Sequence, residues 1–276
     1  MRAFLHLAVA ALLACEPPLA PAAAKAPVAP APAPNAPAQA PALAPVPAPA
    51  KPTPASATGW RSAAGVEYVE VITGGAGSED RLPLIVAIHG LGDRPDNFAD
   101  LVVDLPFAAR VILPRGLDPV DEDGFSWFPI RARSTDVAGL SRGIAAAGDK
   151  VIAQIRELVA ARPTVGKPIV TGFSQGGMLS FYLAVYAPDL FAAAVPVGGW
   201  LPPPLWPSGK PEVTPKIVAL HGEADVAVKY PPTREAVEKL QDLGWPVELK
   251  SWPEVGHAIP PPIRRELHHQ LKRALP

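Results

Sequence analysis

Residues Gly172-Phe173-Ser174-Gln175-Gly176-Gly177 are preceded by Lys167-Pro168-Ile169-Val170-Thr171 and followed by Met178-Leu179-Ser180-Phe181-Tyr182-Leu183-Ala184. The upstream run is short and apolar, as a buried strand is, and the downstream apolar residues recur at helical spacing. A strand, a sharp Gly-x-Ser-x-Gly turn and a helix together describe a nucleophile elbow. The turn forces the serine into a strained conformation that exposes its Oγ. Gly172 and Gly176 are required because a Cβ at either place would collide with the neighbouring strand or helix. A helix starting at Gln175 also brings free N–H groups and the positive end of its dipole beside a developing oxyanion. Gly-x-Ser-x-Gly alone recurs by chance, so the flanking strand and helix carry the reading.

Working outward, Leu84-Ile85-Val86-Ala87-Ile88 is a continuous apolar run, as expected of a parallel strand buried on both faces. Ala109–Leu113, Ala192–Val197, Lys216–Leu220 and Val247–Trp252 read as further strands, and Val66–Ile72 alternates like an edge strand. Helices are expected over Asn97–Leu105, Ser141–Ala161, Thr233–Leu243 and Pro262–Ala274. Strands alternating with helices of this length imply an α/β fold: a mostly parallel sheet flanked by helices and joined by right-handed crossovers. Chemistry in such sheets collects at the carboxyl ends of the strands.

A serine needs a base within hydrogen-bond reach, and the base needs a carboxylate to orient it. The chain has six histidines. His6 lies in the N-terminal apolar run, and His268 and His269 sit among charged residues of the closing helix. His89 and His221 each end a strand before a glycine, where a structural histidine would also sit. His257, in Glu254-Val255-Gly256-His257-Ala258 between the last strand and the last helix, is the expected base. The acid should lie between serine and histidine at a strand's end. His221-Gly222-Glu223-Ala224-Asp225 offers Asp225, which the turn brings back over the sheet edge, and Glu223, which reads better as a solvated turn residue. The order Ser174, Asp225, His257 differs from those of the two well-known protease classes. The oxyanion hole needs two donors. These are the Gln175 N–H and the Leu91 N–H of the loop His89-Gly90-Leu91-Gly92-Asp93.

Taken together, His89–Asp93, Gly172–Gly177 and the His221/Asp225 turn resemble the phospholipase/carboxylesterase family of α/β-hydrolases, which includes acyl-protein thioesterases. Ser126-Trp127-Phe128-Pro129-Ile130 is similar to that family's Ser-Trp-Phe segment near the acyl pocket. The resemblance runs from about Leu84 to the end. It implies cofactor-free serine hydrolysis of carboxylic esters or thioesters with Ser174, Asp225 and His257 as triad. Lysophospholipase, polyester depolymerase and feruloyl-type esterase activities are alternatives within that chemistry. A surface binding module on an inactive hydrolase fold is the alternative outside it. Two irregular stretches, Arg115–Gly143 and Gly198–Pro207, are candidate binding loops. Trp127, Phe128, Trp200 and Leu201 are the candidate substrate-pocket residues, although aromatics also simply plug core ends.

The N-terminal part departs from a plain cytosolic hydrolase. Met1-Arg2 precedes an apolar run, Ala3 to Leu13, too short to span a bilayer permanently and typical of a secretory signal. It ends in Leu12-Leu13-Ala14-Cys15, and Cys15 is the only cysteine in 276 residues. Residues 1–14 are therefore expected to be a lipoprotein-type signal and Cys15 its lipidation site, in the periplasm or on the cell surface. A chance cysteine with cleavage after Ala22-Ala23-Ala24 is the plainer alternative. Residues 15–58 are almost wholly alanine and proline, which prevents both helix and core. At ~3.1 Å per residue such a tether reaches on the order of 100 Å. The catalytic domain is expected over 59–276. No thiol is left there for a disulfide, and the net charge of −1 gives no hint of nucleic acid. No spacing suggests a metal or a phosphate-binding cofactor. The expected partner is a small-molecule or lipid-like ester, with a membrane holding Cys15.

Overall fold

The computed structural model describes residues 58–120, 123–162 and 164–276. The expected signal segment, Cys15 and all but the last residue of the 15–58 tether lie outside the described residues. In chain order the elements are β1 (Thr58–Ala63), β2 (Val66–Ile72), β3 (Leu84–Ile88), α1 (Pro95–Phe98), β4 (Arg110–Pro114), β5 (Asp118–Val120) and β6 (Gly124–Ser126). There follow α2 (Val137–Ala161), β7 (Ile169–Phe173), α3 (Gln175–Tyr186), β8 (Ala193–Val197), β9 (Lys216–Gly222), α4 (Tyr230–Asp242), β10 (Val247–Trp252) and α5 (Pro261–Arg273). Eight strands form one sheet in the order β1-β2-β4-β3-β7-β8-β9-β10, parallel from β4 to β10 with β1 and β2 added antiparallel. This is the α/β-hydrolase architecture expected from the alternation of strands and helices.

The apolar strands are buried on both faces because each face carries helices. Leu140, Ile144, Val151 and Ile155 of α2, nearly all of α3, and Ala236, Val237 and Leu240 of α4 pack on one side. Phe98 of α1 and Ile263, Leu267 and Leu271 of α5 pack on the other. The chain runs from β3 outward to β4, then returns to lay β7 on the opposite flank of β3. The crevice between β3 and β7 is thus a topological switch point, and the loops leaving both strands open onto it.

Two expectations are corrected. Val66–Ile72 is not an edge strand: β1 pairs outside it through a turn in which Ala64 and Gly65 both have positive φ, 45° and 75°. Its Glu70 is buried, with Arg110 and Arg162 bonding its two oxygens and Arg61 approaching to 3.6 Å. The helix expected over Asn97–Leu105 stops at Phe98 and gives way to a 3₁₀ turn, Ala99–Leu101. Two adjacent β-branched residues, Val102 and Val103, follow, and Val102 turns inward to full burial.

Candidate active site

Ser174 closes β7 and opens α3 with φ 58° and ψ −116°, in a region non-glycine residues rarely occupy. The neighbouring glycines make that turn possible. A Cβ on Gly176 would lie 2.0 Å from the Ile88 carbonyl oxygen, and one on Gly172 would lie 2.5 Å from the Gly176 oxygen. The Ser174 amide donates to the Val197 carbonyl at 3.0 Å, which fixes the elbow to the end of β8.

His257 leaves the loop after β10 and brings its Nε2 to 2.9 Å from Ser174 Oγ. Its Nδ1 lies 2.6 Å from Asp225 Oδ2, so the carboxylate holds the proton on Nδ1 and leaves the Nε2 lone pair facing the hydroxyl. Phe173 stacks on the imidazole at 4.6 Å between centroids, fixing the ring plane. The other Asp225 oxygen accepts the amides of Ala227 and Val228, each at 2.9 Å. Burial opposes the charge on Asp225, but the bonds from His257, Val228 and Ala227 outweigh it and hold the carboxyl below its ordinary range. Glu223 points instead at Ser251 Oγ, 2.6 Å away and exposed.

The other two strand-end histidines are structural. His89 Nδ1 bonds the Gly90 carbonyl at 2.7 Å, and its Nε2 accepts the Gly116 amide at 3.0 Å. Both roles require a neutral ring, and burial lowers its pKa against a partial pull from Gly90. His221 bonds the Val228 carbonyl through Nε2 at 2.8 Å. Burial lowers its pKa too, so its 3.6 Å approach to Asp225 is a neutral contact and not an ion pair.

Leu91 lies beside Ser174 in the loop after β3. Gly92 and Asp93 pair with Phe125 of β6 at 2.9 and 3.0 Å, which holds this loop in place. Among the described residues neither the Leu91 nor the Gln175 amide has a hydrogen-bond partner, so both are free to donate into the cleft. The Gln175 side chain does something the sequence did not suggest. Its Oε1 accepts the Trp127 amide at 3.0 Å and its Nε2 donates to the Phe128 carbonyl at 2.8 Å.

That brace explains a correction. Trp127 and Phe128 were expected to form an acyl pocket with Trp200 and Leu201. Trp127, Phe128 and Leu201 instead lie 2%, 2% and 0% exposed in the core beneath the site. Trp127 Nε1 donates to the His89 carbonyl at 3.0 Å, so its ring is a strap under the His89–Asp93 loop. Only Trp200 reaches a surface hollow. The cleft at Ser174, of about 250 Å³, is lined by Leu91, Arg131, Ala132, Arg133, Gln175, Ala227, Val228 and His257. Arg131 and Arg133 belong to the stretch 115–143 singled out as a binding loop. No local sequence pattern marks either arginine for the cleft.

A family model described as Phospholipase/Carboxylesterase matches residues 69–274. The chain is 25% identical to acyl-protein thioesterase 1 of Gibberella zeae over 213 residues, 70% of this chain and 90% of that protein. It is 27% identical to the Mycosarcoma maydis protein of the same name over 218 residues, 68% and 90% of the two chains. The crystal structure of Zea mays acyl-protein thioesterase 2 superposes with a TM-score of 0.57 at 25% identity, covering 76% of this chain and 99% of that one. Esterase PE8, at 23% identity and a TM-score of 0.62, covers 74% and 99% and shares the fold.

Proposed function

The chain belongs to the phospholipase/carboxylesterase family, and from that premise we propose that it is a serine hydrolase cleaving carboxylic esters or thioesters through an acyl-enzyme. The observation that carries this reading is the strained Ser174, 2.9 Å from His257 Nε2, with Asp225 2.6 Å behind the imidazole. As Ser174 Oγ attacks the acyl carbonyl, His257 takes its proton. The carbonyl oxygen becomes an oxyanion between the Leu91 and Gln175 amides. Collapse expels the alcohol or thiol, which takes the proton back from His257. Water then repeats the cycle on the acyl-enzyme and frees the acid. Asp225 keeps the tautomer and stabilises the imidazolium without itself taking the proton.

Every group in this scheme belongs to the chain, and no step calls for a cofactor. Among the described residues no set of His, Cys, Asp and Glu is arranged to hold a metal ion. The short apolar run, Cys15 and the Ala/Pro-rich stretch add to the proposal an exported enzyme tethered by a lipid. Mass spectrometry of the mature N-terminus tests that part, since an unmodified Cys15 or a retained Met1 would exclude it.

The central test is Ser174→Ala assayed on an activated acyl ester, with fluorophosphonate labelling of the native protein. The reading expects labelling at Ser174 and a loss of turnover of at least roughly 10³-fold in the variant. Unlabelled Ser174 with no turnover in the native protein would leave a binding module on a silent hydrolase fold, and turnover retained by the variant would refute Ser174 as the nucleophile.

A further inference from the structure

We propose that the cleft selects small esters carrying a negative charge away from the scissile carbonyl, read by Arg131, Arg133 and Lys229. The inference rests on Ser174 being the nucleophile and adds the substrate class.

Arg131 and Arg133 line the same cleft as Ser174 and His257. A second hollow of about 180 Å³ shares Ala132 and Arg133 with it and adds Ser134, Trp200, Lys229 and Pro232. The two together make a shelf leading away from the nucleophile with three cationic side chains on its walls. No carboxylate lines either hollow. Among the described residues, none of these three side chains has an ion-pair or hydrogen-bond partner. Arg61, Arg110, Arg115, Arg162 and Arg264 are all paired with carboxylates elsewhere. The clustering does not follow from overall basicity either, because the chain carries a net charge of −1. Like charges gathered without counter-charges repel one another, and an anion in the hollow relieves that repulsion.

The backbone under the arginines is held in place. The Ser134 amide donates to the Arg131 carbonyl at 2.9 Å, closing a turn. Ser134 Oγ accepts the Asp136 amide at 3.1 Å, and Asp136 caps α2 by accepting the Gly139 amide at 2.8 Å. On the other side Gln175 anchors Trp127 and Phe128. The guanidinium groups are thus carried on a loop tied at both ends. Leu91, Ala132, Ala227 and Val228 supply the apolar surface for the ester's carbon skeleton. With Trp127, Phe128 and Leu201 in the core, the cleft lacks the aromatic lining expected for a long acyl chain. At about 250 Å³ it falls at or below the small end of ligand pockets.

Two matched pairs test this: 4-nitrophenyl hydrogen adipate against 4-nitrophenyl hexanoate, and 4-acetoxybenzoate against phenyl acetate. The first places the charge on the acyl side and the second on the leaving-group side. In the native protein kcat/KM for the charged member of at least one pair should exceed that of its neutral partner by about tenfold at low salt. The preference should shrink as salt rises to 0.5 M. In Arg131→Gln/Arg133→Gln the ratio should fall to within twofold of one, and in Arg133→Glu it should invert. Circular dichroism on each variant checks folding, and the salt series on the native protein needs no variant. Hydrolysis of all four esters with ratios near one and no salt dependence overturns the inference while leaving the hydrolase reading intact. Failure to hydrolyse any of them, with no fluorophosphonate labelling, overturns both.

Discussion

Replacing Gln175 by alanine isolates the brace between α3 and the loop that walls the cleft. The side chain is 3% exposed and satisfies two backbone groups, the Trp127 amide at 3.0 Å and the Phe128 carbonyl at 2.8 Å. Truncation leaves both groups buried without a partner. Each unsatisfied group costs about 1–3 kcal/mol. A water entering the vacated space and bonding both would bring the total of about 2–6 kcal/mol toward its lower end, so the expected loss is about 3 kcal/mol. For a domain of this size that corresponds to a fall in Tm of about 6–12 °C, measurable by calorimetry or by urea unfolding.

Activity should fall with it, by about tenfold or more in kcat/KM, although the Gln175 backbone amide remains to hold the oxyanion. Without the brace, the Trp127 strap under His89 and the turn carrying Arg131 and Arg133 both lose their anchor. Gln175→Glu separates bonding from volume. Its carboxylate still accepts from Trp127, but its second oxygen faces the Phe128 carbonyl until a proton bridges them. Relative to native protein at the same pH, that variant should be less destabilised at pH 5 than at pH 8. An alanine variant within about 0.5 kcal/mol of native stability, or a glutamate variant with no pH-dependent difference, would refute the brace.

Gly176→Ala should give little folded protein, because its Cβ would sit 2.0 Å from the Ile88 oxygen and backbone cannot yield as a side-chain tip does; soluble expression with normal activity contradicts this. Asp225→Asn should lower kcat by about 10⁴-fold with the fold retained, since the amide no longer favours the proton on His257 Nδ1. Circular dichroism and a fluorophosphonate time course together check it. Acid should destabilise the protein through His89 and His221, whose pKa values burial lowers from the ordinary 6.5. The unfolded chain takes up their protons as pH falls below about 6.5, whereas the folded chain does not until its lower pKa values are reached. Each histidine thus removes up to about 1.4 kcal/mol per pH unit across that window, and its contribution is intact above it. Asp225, also depressed, loses its contribution only further down, as pH falls from the ordinary carboxylate range through its folded value. Urea midpoints at pH 7.5, 6.5 and 5.5 measure the histidine effect; a flat profile would mean that these rings titrate in the fold as they do in the unfolded chain.

The elbow, the acid turn and the histidine loop were legible because each is a local pattern whose reason is covalent or steric. Gly172 and Gly176 announce a turn that no Cβ tolerates, and Asp225 and His257 follow strands whose ends must lie beside that turn. β1 was illegible for the opposite reason: Thr58–Ala63 carries no strong alternation and becomes a strand only because β2 offers it an edge. The burial of Glu70 was illegible too, since nothing near it in sequence shows that Arg61, Arg110 and Arg162 converge on it.

The misreading of Trp127 and Phe128 is the most instructive, because the segment itself was correctly singled out. Hydrophobicity says that these rings want burial, but not whether a substrate or the core buries them. That choice is made by two captures of backbone and indole from elsewhere in the chain, Gln175 on one side and the His89 carbonyl on the other. Once the chain is pinned at 127 and 128 the rings face inward, and Arg131 and Arg133, a few residues on, emerge at the mouth of the cleft. On the proposed reading, the side chains that would meet substrate are therefore placed by the same glutamine whose amide would hold the oxyanion. Substrate charge preference and oxyanion geometry should consequently move together when Gln175 is altered.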